Sequence, residues 1–193
     1  ARFVAMDLET TGPNMMRDRI ISIGAVAVVE RAVRHDDAFE VVVRQASESR
    51  ADNILIHQIG GQEQRAGVEP MEALLSFLEF LDGSIAVAFR SEFDSTVLGR
   101  ELQDSLGIRA GPRFLDLASM LPALFPNTPN DSLDDWARYF GLPPIGRHHA
   151  IADAYANAQL LLLALDRARQ LGLDTTADLL SLQKSQRWLG RRR

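Results

Sequence analysis

Cysteine is missing from all 193 residues, which removes disulfide frameworks, thiolate zinc sites and cysteine nucleophiles from consideration. That composition is compatible with a reducing cytoplasm, and a cytoplasmic location is the expectation. Long apolar runs are missing as well. The strongest stretches, Ile20 to Val29 and Leu160 to Leu165, fall well short of the roughly 20 residues a membrane-spanning helix needs. The chain opens on strand-like residues rather than on a signal peptide, and its beginning at Ala1 suggests a domain of something longer. Excess positive charge is absent too: 21 Lys and Arg stand against 26 Asp and Glu, a formal charge of −5. Coating long nucleic-acid duplexes draws on many phosphate contacts from Lys and Arg, so that mode is disfavoured while contact with a short end stays open. No internal repeat is evident. What is present is material for one core, with 46% of residues hydrophobic and 24% charged, the proportions of an ordinary globular domain.

Turn residues and hydrophobic period divide the chain. Arg2 to Asp7, Ile20 to Val29 and Phe39 to Val43 read as three strands. Thr11-Gly12-Pro13-Asn14 fills the first gap, and the charged stretch Glu30 to Asp37 bridges the second as a hairpin would. From Pro70 the period lengthens: Met71, Leu74, Leu75, Leu78 and Leu81 recur at helical spacing after a proline suited to a first turn. Ile85 to Phe89 supplies a fourth strand, a helix follows through Phe93, Val97, Leu98 and Leu102, and Arg113 to Asp116 gives a short fifth strand. Ser132 to Phe140 and Ala150 to Gln170 are further helices, with Pro122 to Pro129 as a proline-rich connector before them. The last ten residues, ending Arg191-Arg192-Arg193, read as a fraying basic tail. Three strands on short links, followed by β-α alternation, predict an α/β fold: a mixed sheet, antiparallel at first, with helices on its faces.

Several carboxylates need an explanation. Asp7 and Glu9 lie two apart at the end of the first strand, and strand side chains repeat every two residues, so both point to one face. Such a pair alone equally describes a solvated rim. Asp153 is harder to dismiss. The segment Ala150 to Leu165 is apolar around most of its circumference and so reads as buried, yet no Lys or Arg stands at helical spacing from three residues before Asp153 to four after. An unpaired buried charge costs several kcal/mol, so something cationic belongs against it. The helix N-terminus supplies only about 0.3 to 1 kcal/mol. A solvent-facing acid in the first turn is the simpler alternative. Asp94 has a structural competitor, since Ser91-Glu92-Phe93-Asp94 fits a capping box, and Asp135 of Ser132-Leu133-Asp134-Asp135 has the same explanation. His148 and His149 follow Gly146-Arg147 in the loop entering the long helix, and spacing alone does not choose between them. Two adjacent histidines suggest zinc ligation, but the His-x-x-x-His spacing that would support it is lacking.

Together these residues make a resemblance specific. Phe3-Val4-Ala5-Met6-Asp7-Leu8-Glu9-Thr10-Thr11-Gly12, Phe93-Asp94, and His148-x-Ala150-x-x-Asp153-Ala154 resemble the three motifs of the DEDDh 3′–5′ exonucleases. That is the group of the proofreading epsilon subunit of DNA polymerase III and of ribonuclease T. Order and separations match from Phe3 to about Leu165, and Ile56-His57-Gln58-Ile59 and the stretch Ser132 to Leu142 resemble the family's connecting segments. The resemblance implies a ribonuclease H-like mixed sheet, an exonuclease domain over residues 1–175, and a helical extension with a basic tail over 176–193. It also selects His148 over His149 by the family's His-to-Asp interval. Departures fall at Phe89 and Arg90, where the family often carries polar residues, and at Pro13, which replaces an apolar one.

The chemistry implied by the resemblance is metal-dependent. Four converging carboxylates repel one another, and divalent cations relieve that repulsion while acting as Lewis acids in phosphodiester cleavage. Hard oxygen ligands favour two Mg²⁺ or Mn²⁺ ions. By resemblance, Asp7 bridges the two, Glu9 and Asp153 complete the first, and Asp94 holds the second largely through water. His148 is the implied general base, a role suited to a side chain whose reference pKa is ~6.5 and worth ~10² to 10⁴ in rate. Thr10, Thr11, Gly12, His57, Phe93 and Arg90 are the implied substrate contacts, with Arg90 on a phosphate unless it pairs with Glu92. The implied reaction releases 5′-nucleoside monophosphates from the 3′ end of a single strand, DNA being favoured. Two alternatives stay open: an exoribonuclease trimming RNA ends, separated only by handling of the 2′-hydroxyl, and a catalytically weakened nucleic-acid-binding module, encouraged by Phe89-Arg90 alone. The implied partners are nucleic-acid 3′ ends and a polymerase or fused domain, with no membrane.

Overall fold

Along the first strand, β1 (Arg2–Thr10), alternate side chains enter two different cores. The even row, Val4, Met6 and Leu8, packs on one face against α3 (Pro70–Leu81) and α4 (Glu92–Leu106), chiefly on Leu74, Phe77, Val97, Leu98 and Leu102. The odd row, Phe3 and Ala5, packs on the other face against α5 (Leu117–Leu124) and α7 (Ala150–Gln170). Asp7 and Glu9 continue that odd row towards the strand's end, so the period of two that builds the core also delivers both acids to the α7 side. The computed structural model describes residues 1–126, 128, 131–143 and 148–190; Gly146, Arg147 and the Arg191–Arg193 tail lie outside the described residues.

β1 is central in a five-stranded sheet of order β3-β2-β1-β4-β5. It pairs antiparallel with β2 (Ile20–Val29), and β2 pairs antiparallel with β3 (Ala32–Val42). On its other side it runs parallel to β4 (Ile85–Ala88), which pairs parallel with β5 (Phe114–Asp116). This is the mixed sheet the sequence predicts, antiparallel then alternating with helices. β3 begins at Ala32, not Phe39. Glu30 and Arg31, both at positive φ (49° and 64°), make the tight turn that the right-handed strand twist favours. The charged run therefore belongs to an edge strand, where Arg34 pairs with Asp36 and charge discourages further strand pairing. The register slips between Val26↔Ala38 and Ala27↔Arg34.

Three helices escape the periodicity reading. α1 (Ala51–His57) and α2 (Gly61–Ala66) lie between β3 and α3, and α5 contains Pro122, placed above in a connector. The proline removes one backbone donor, but burial of Leu117, Met120, Leu121 and Leu124 outweighs that loss. After α6 (Leu133–Tyr139) and α7, α8 (Thr176–Gly190) extends helix through residues read as a fraying tail. It packs on α5 and β5 through buried Leu179 and Gln183, and Gln183 accepts from the Asp116 amide at 2.8 Å. No helix among the described residues is long and apolar enough to cross a membrane.

Candidate active site

Pairing of β1 with β4 ends at Ala5↔Val87, while β1 runs on to Thr10. Side chains meet the backbone beyond that point. Asn157 of α7 donates its Nδ2 to the Met6 carbonyl at 3.0 Å, and the Leu8 amide hydrogen-bonds the Asp94 carboxyl. Polar backbone that would otherwise be orphaned is thus satisfied by groups on the two helices that carry motif acids.

Asp7, Glu9 and Asp153 each present an oxygen within 4.8 Å of the others. Asp153 is buried in the first turn of α7, while Asp7 and Glu9 are half-buried at the strand end. The loop before α7 folds back over this turn: the His148 amide donates to Asp153 Oδ2 at 3.1 Å, from a left-handed backbone conformation at φ 61°. His148 itself is exposed. His149 turns towards β3, its Nδ1 3.3 Å from Glu40. The acids and His148 line a cleft of about 310 Å³ that Phe89, Arg90 and Ser132 also line.

Asp94 sits outside that trio, 5% exposed, in the first turn of α4. Burial pushes its carboxyl up to about 7; the amides of Asp94 and Leu8 pull it down, and the charge of Asp116 adds to the rise. The expected capping box is absent here. Ser91 is itself helical and makes no side-chain cap, because Asp94 turns inward and Asp116, from β5, takes the Ser91 amide at 3.2 Å. The box at Ser132 and Asp135 is present.

A carboxyl raised in the folded state holds its proton where the unfolded chain has released it, so its contribution to stability is full below the ordinary value of 3.8 and is lost as pH rises to about 7. Asp94→Asn removes that loss while keeping an acceptor for Leu8. The variant's melting temperature, measured without metal, is expected to overtake the wild type's progressively across this window. Parallel curves would contradict the burial argument.

The remaining predicted residues separate. Thr10 ends β1 and bonds the Gly12 carbonyl through its hydroxyl at 2.7 Å; the Thr11 hydroxyl reaches Asp18 at 3.0 Å. Both hydroxyls therefore hold the turn. Phe93 is half-buried against the α3–α4 core. Arg90 is exposed at the cleft wall, at φ 58°, and donates to the Asp131 carbonyl at 2.9 Å rather than pairing with Glu92. His57 does not join the cleft. It is 1% exposed, its Nδ1 accepts from the Ile59 amide at 3.0 Å and its Nε2 lies 3.3 Å from Ser49 Oγ. With both ring nitrogens engaged, it braces the α1–α2 corner. Asn53 ties that corner to the site through the Thr10 carbonyl at 2.7 Å. Three site-building residues went unread: Asp116, Asn157 and Gly24. A glycine within a β-branched run signals close backbone approach, and an Asn one turn after Asp153 on an apolar face is a comparable signal.

A family model for exonucleases, named for ribonuclease T, matches residues 4–161. The chain belongs to this exonuclease family. Among curated relatives, the PolC-type DNA polymerase III of Caldanaerobacter subterraneus subsp. tengcongensis is 28% identical over 182 residues, 93% of this chain but 13% of the relative. The 3′-5′ exonuclease DinG of Staphylococcus aureus is 27% identical over 95% of this chain and 20% of its own length. The exonuclease domain is thus a small part of the relatives it matches. Among solved structures, E. coli exonuclease I in complex with a dT13 oligonucleotide aligns with TM-score 0.74 and 20% identity over 89% of this chain and 42% of that one. Exonuclease X in complex with 5′ overhanging duplex DNA aligns with TM-score 0.71 and 20% identity over 94% and 98%. These likenesses give the exonuclease domain its ribonuclease H-like fold.

Proposed function

We propose that the chain is a metal-dependent 3′–5′ exonuclease that shortens single-stranded ends, DNA in preference to RNA, releasing 5′-nucleoside monophosphates in the cytoplasm. The observation that carries this reading is the gathering of Asp7, Glu9 and Asp153 within 4.8 Å at the cleft. The donors are all carboxylate oxygens, half-buried or buried, which suits hard cations such as Mg²⁺ or Mn²⁺. Asp7, Glu9 and Asp153 would hold one ion, and Asp94, beyond Leu8, would help hold a second with Asp7. When bound, such ions supply charge neutralisation and Lewis acidity to phosphodiester cleavage.

The chain's own groups do the rest. His148, exposed at the cleft rim and tied by its amide to Asp153, accepts a proton from the attacking water. Arg90, which lines the same cleft, meets a phosphate once it leaves the Asp131 carbonyl. The Thr10–Gly12 turn, its hydroxyls committed internally, offers backbone groups to the terminal sugar. The preference for DNA draws support from the DNA-bound structures of exonucleases I and X and from polymerase III relatives; a polymerase or a fused domain is the proposed partner.

The test uses 5′-labelled single-stranded DNA and RNA of one sequence with Mn²⁺. One-nucleotide steps from the 3′ end, mononucleotide product and faster DNA degradation are expected. Faster RNA degradation would turn the assignment to the exoribonuclease, and binding without release to the weakened module.

A further inference from the structure

We infer that Gly24 and Asn157 are positioning residues that fix α7 on the sheet and so bring Asp153 to Asp7 and Glu9. The inference rests on the metal-site reading above and concerns what builds that site.

Gly24 is the direct cross-strand partner of Asp7 in the β1–β2 register. The start of α7 lies directly on it: a Cβ at Gly24 would fall far inside contact distance of the Ala150 carbonyl and the Ile151 nitrogen, both backbone atoms. Backbone cannot swing aside as a flexible side chain can, so any larger residue must lift the first turn of the helix. That turn carries Asp153, three residues after Ala150. Reactive groups must be held to about 0.5 Å, and lifting the turn by more than this takes Asp153 out of range.

Asn157 fixes the second point. It lies one turn beyond Asp153 on the same helix face, is completely buried, and donates to the carbonyl of Met6, the residue before Asp7. Among the described residues its Oδ1 accepts no hydrogen bond. The Met6 carbonyl lies beyond the end of the β1–β4 pairing, so the amide supplies a donor that this pairing does not, at the residue directly before Asp7. Gly24 sets the height of α7 and Asn157 its register along β1, with Asp153 between them. The small residues at four-residue intervals on the buried helix, Ala150, Ala154 and Ala158, permit the same close approach.

A purely structural role predicts loss of stability without specific loss of metal binding. The discriminating experiment is calorimetric titration of Mn²⁺ into wild type, Gly24→Ala, Asn157→Leu and Asp7→Ala without substrate, beside melting curves. Asn157→Leu is expected to melt several degrees below wild type, because the Met6 carbonyl loses its donor, yet to stay folded and bind Mn²⁺ roughly 10- to 100-fold more weakly, the range for residues that orient metal ligands. Gly24→Ala is expected to show a similar loss; if it fails to fold, Asn157→Leu decides alone. Folded Asn157→Leu with wild-type affinity, whatever its melting temperature, would overturn the inference. Absence of Mn²⁺ uptake by wild type would instead overturn the metal-site reading and the inference with it, and Asp7→Ala shows whether the heat comes from that site.

Discussion

Asp7→Ala is expected to lower nucleotide release about 10³-fold or more and to abolish Mn²⁺ binding at the cluster. Lewis-acid stabilisation of a phosphodiester transition state is worth several kcal/mol, and each 1.36 kcal/mol is a factor of ten in rate, so about 4 kcal/mol gives that loss. Asp7 is the place to remove it. It stands on the central strand, opposite Gly24, with Glu9 further along the same face and Asp153 above it, and the proposed second ion also needs it. Its side chain is half-buried at a strand end, so truncation leaves no core cavity and the fold should survive. Single-turnover assays on labelled DNA and a Mn²⁺ titration check both halves. A variant within tenfold of wild type, or one that still takes up Mn²⁺ normally, would count against the proposed chemistry.

The parts of this molecule legible in its sequence are those where burial and periodicity agree. β2 is buried on both faces, and its run Ile20 to Val29 matches the observed strand end to end; α7 likewise begins and ends at Ala150 and Gln170. The helices that were missed break that agreement. In α1 the polar His57 is 1% exposed while Leu55 is 78% and Ile56 50% exposed, so the apolar positions trace no buried face. In α5, Pro122 argues locally against a helix that tertiary burial stabilises. β3 was obscured because an edge strand tolerates charge on its open side. The site divides in the same way. Asp7, Glu9 and Asp153 could be ordered by motif spacing, and their gathering follows from the sheet. His57 has no local sequence signal for its place, because its burial and its contacts with Ser49 and Ile59 arise only when the α1–α2 corner folds. Asp94 was ambiguous in sequence because Ser91 offers a plausible cap, and only the arrival of Asp116 from β5 releases Asp94 to face β1. Such long-range substitution of one hydrogen-bond partner for another has no local signature.

The second large effect concerns His148. His148→Ala is expected to reduce the turnover number about 10²- to 10⁴-fold, the usual worth of a positioned general base, with Mn²⁺ affinity and melting temperature almost unchanged. Three structural facts separate it from Asp7. The contact to Asp153 comes from the backbone amide, which alanine retains. The imidazole is exposed, so its loss leaves no buried void. The left-handed φ of 61° strains alanine as it strains histidine, so backbone energy is little altered. A proton acceptor is needed for turnover and not for holding the ions, so the loss should fall on the turnover number and leave the Mn²⁺ titration unchanged. The comparison belongs at saturating Mn²⁺, so that ion binding does not enter the measured rate. His149→Ala is the internal control, since His149 faces Glu40 on β3 and should leave the rate intact. A His148→Ala enzyme that keeps its rate would transfer the proton-accepting role away from this residue while leaving the carboxylate site standing.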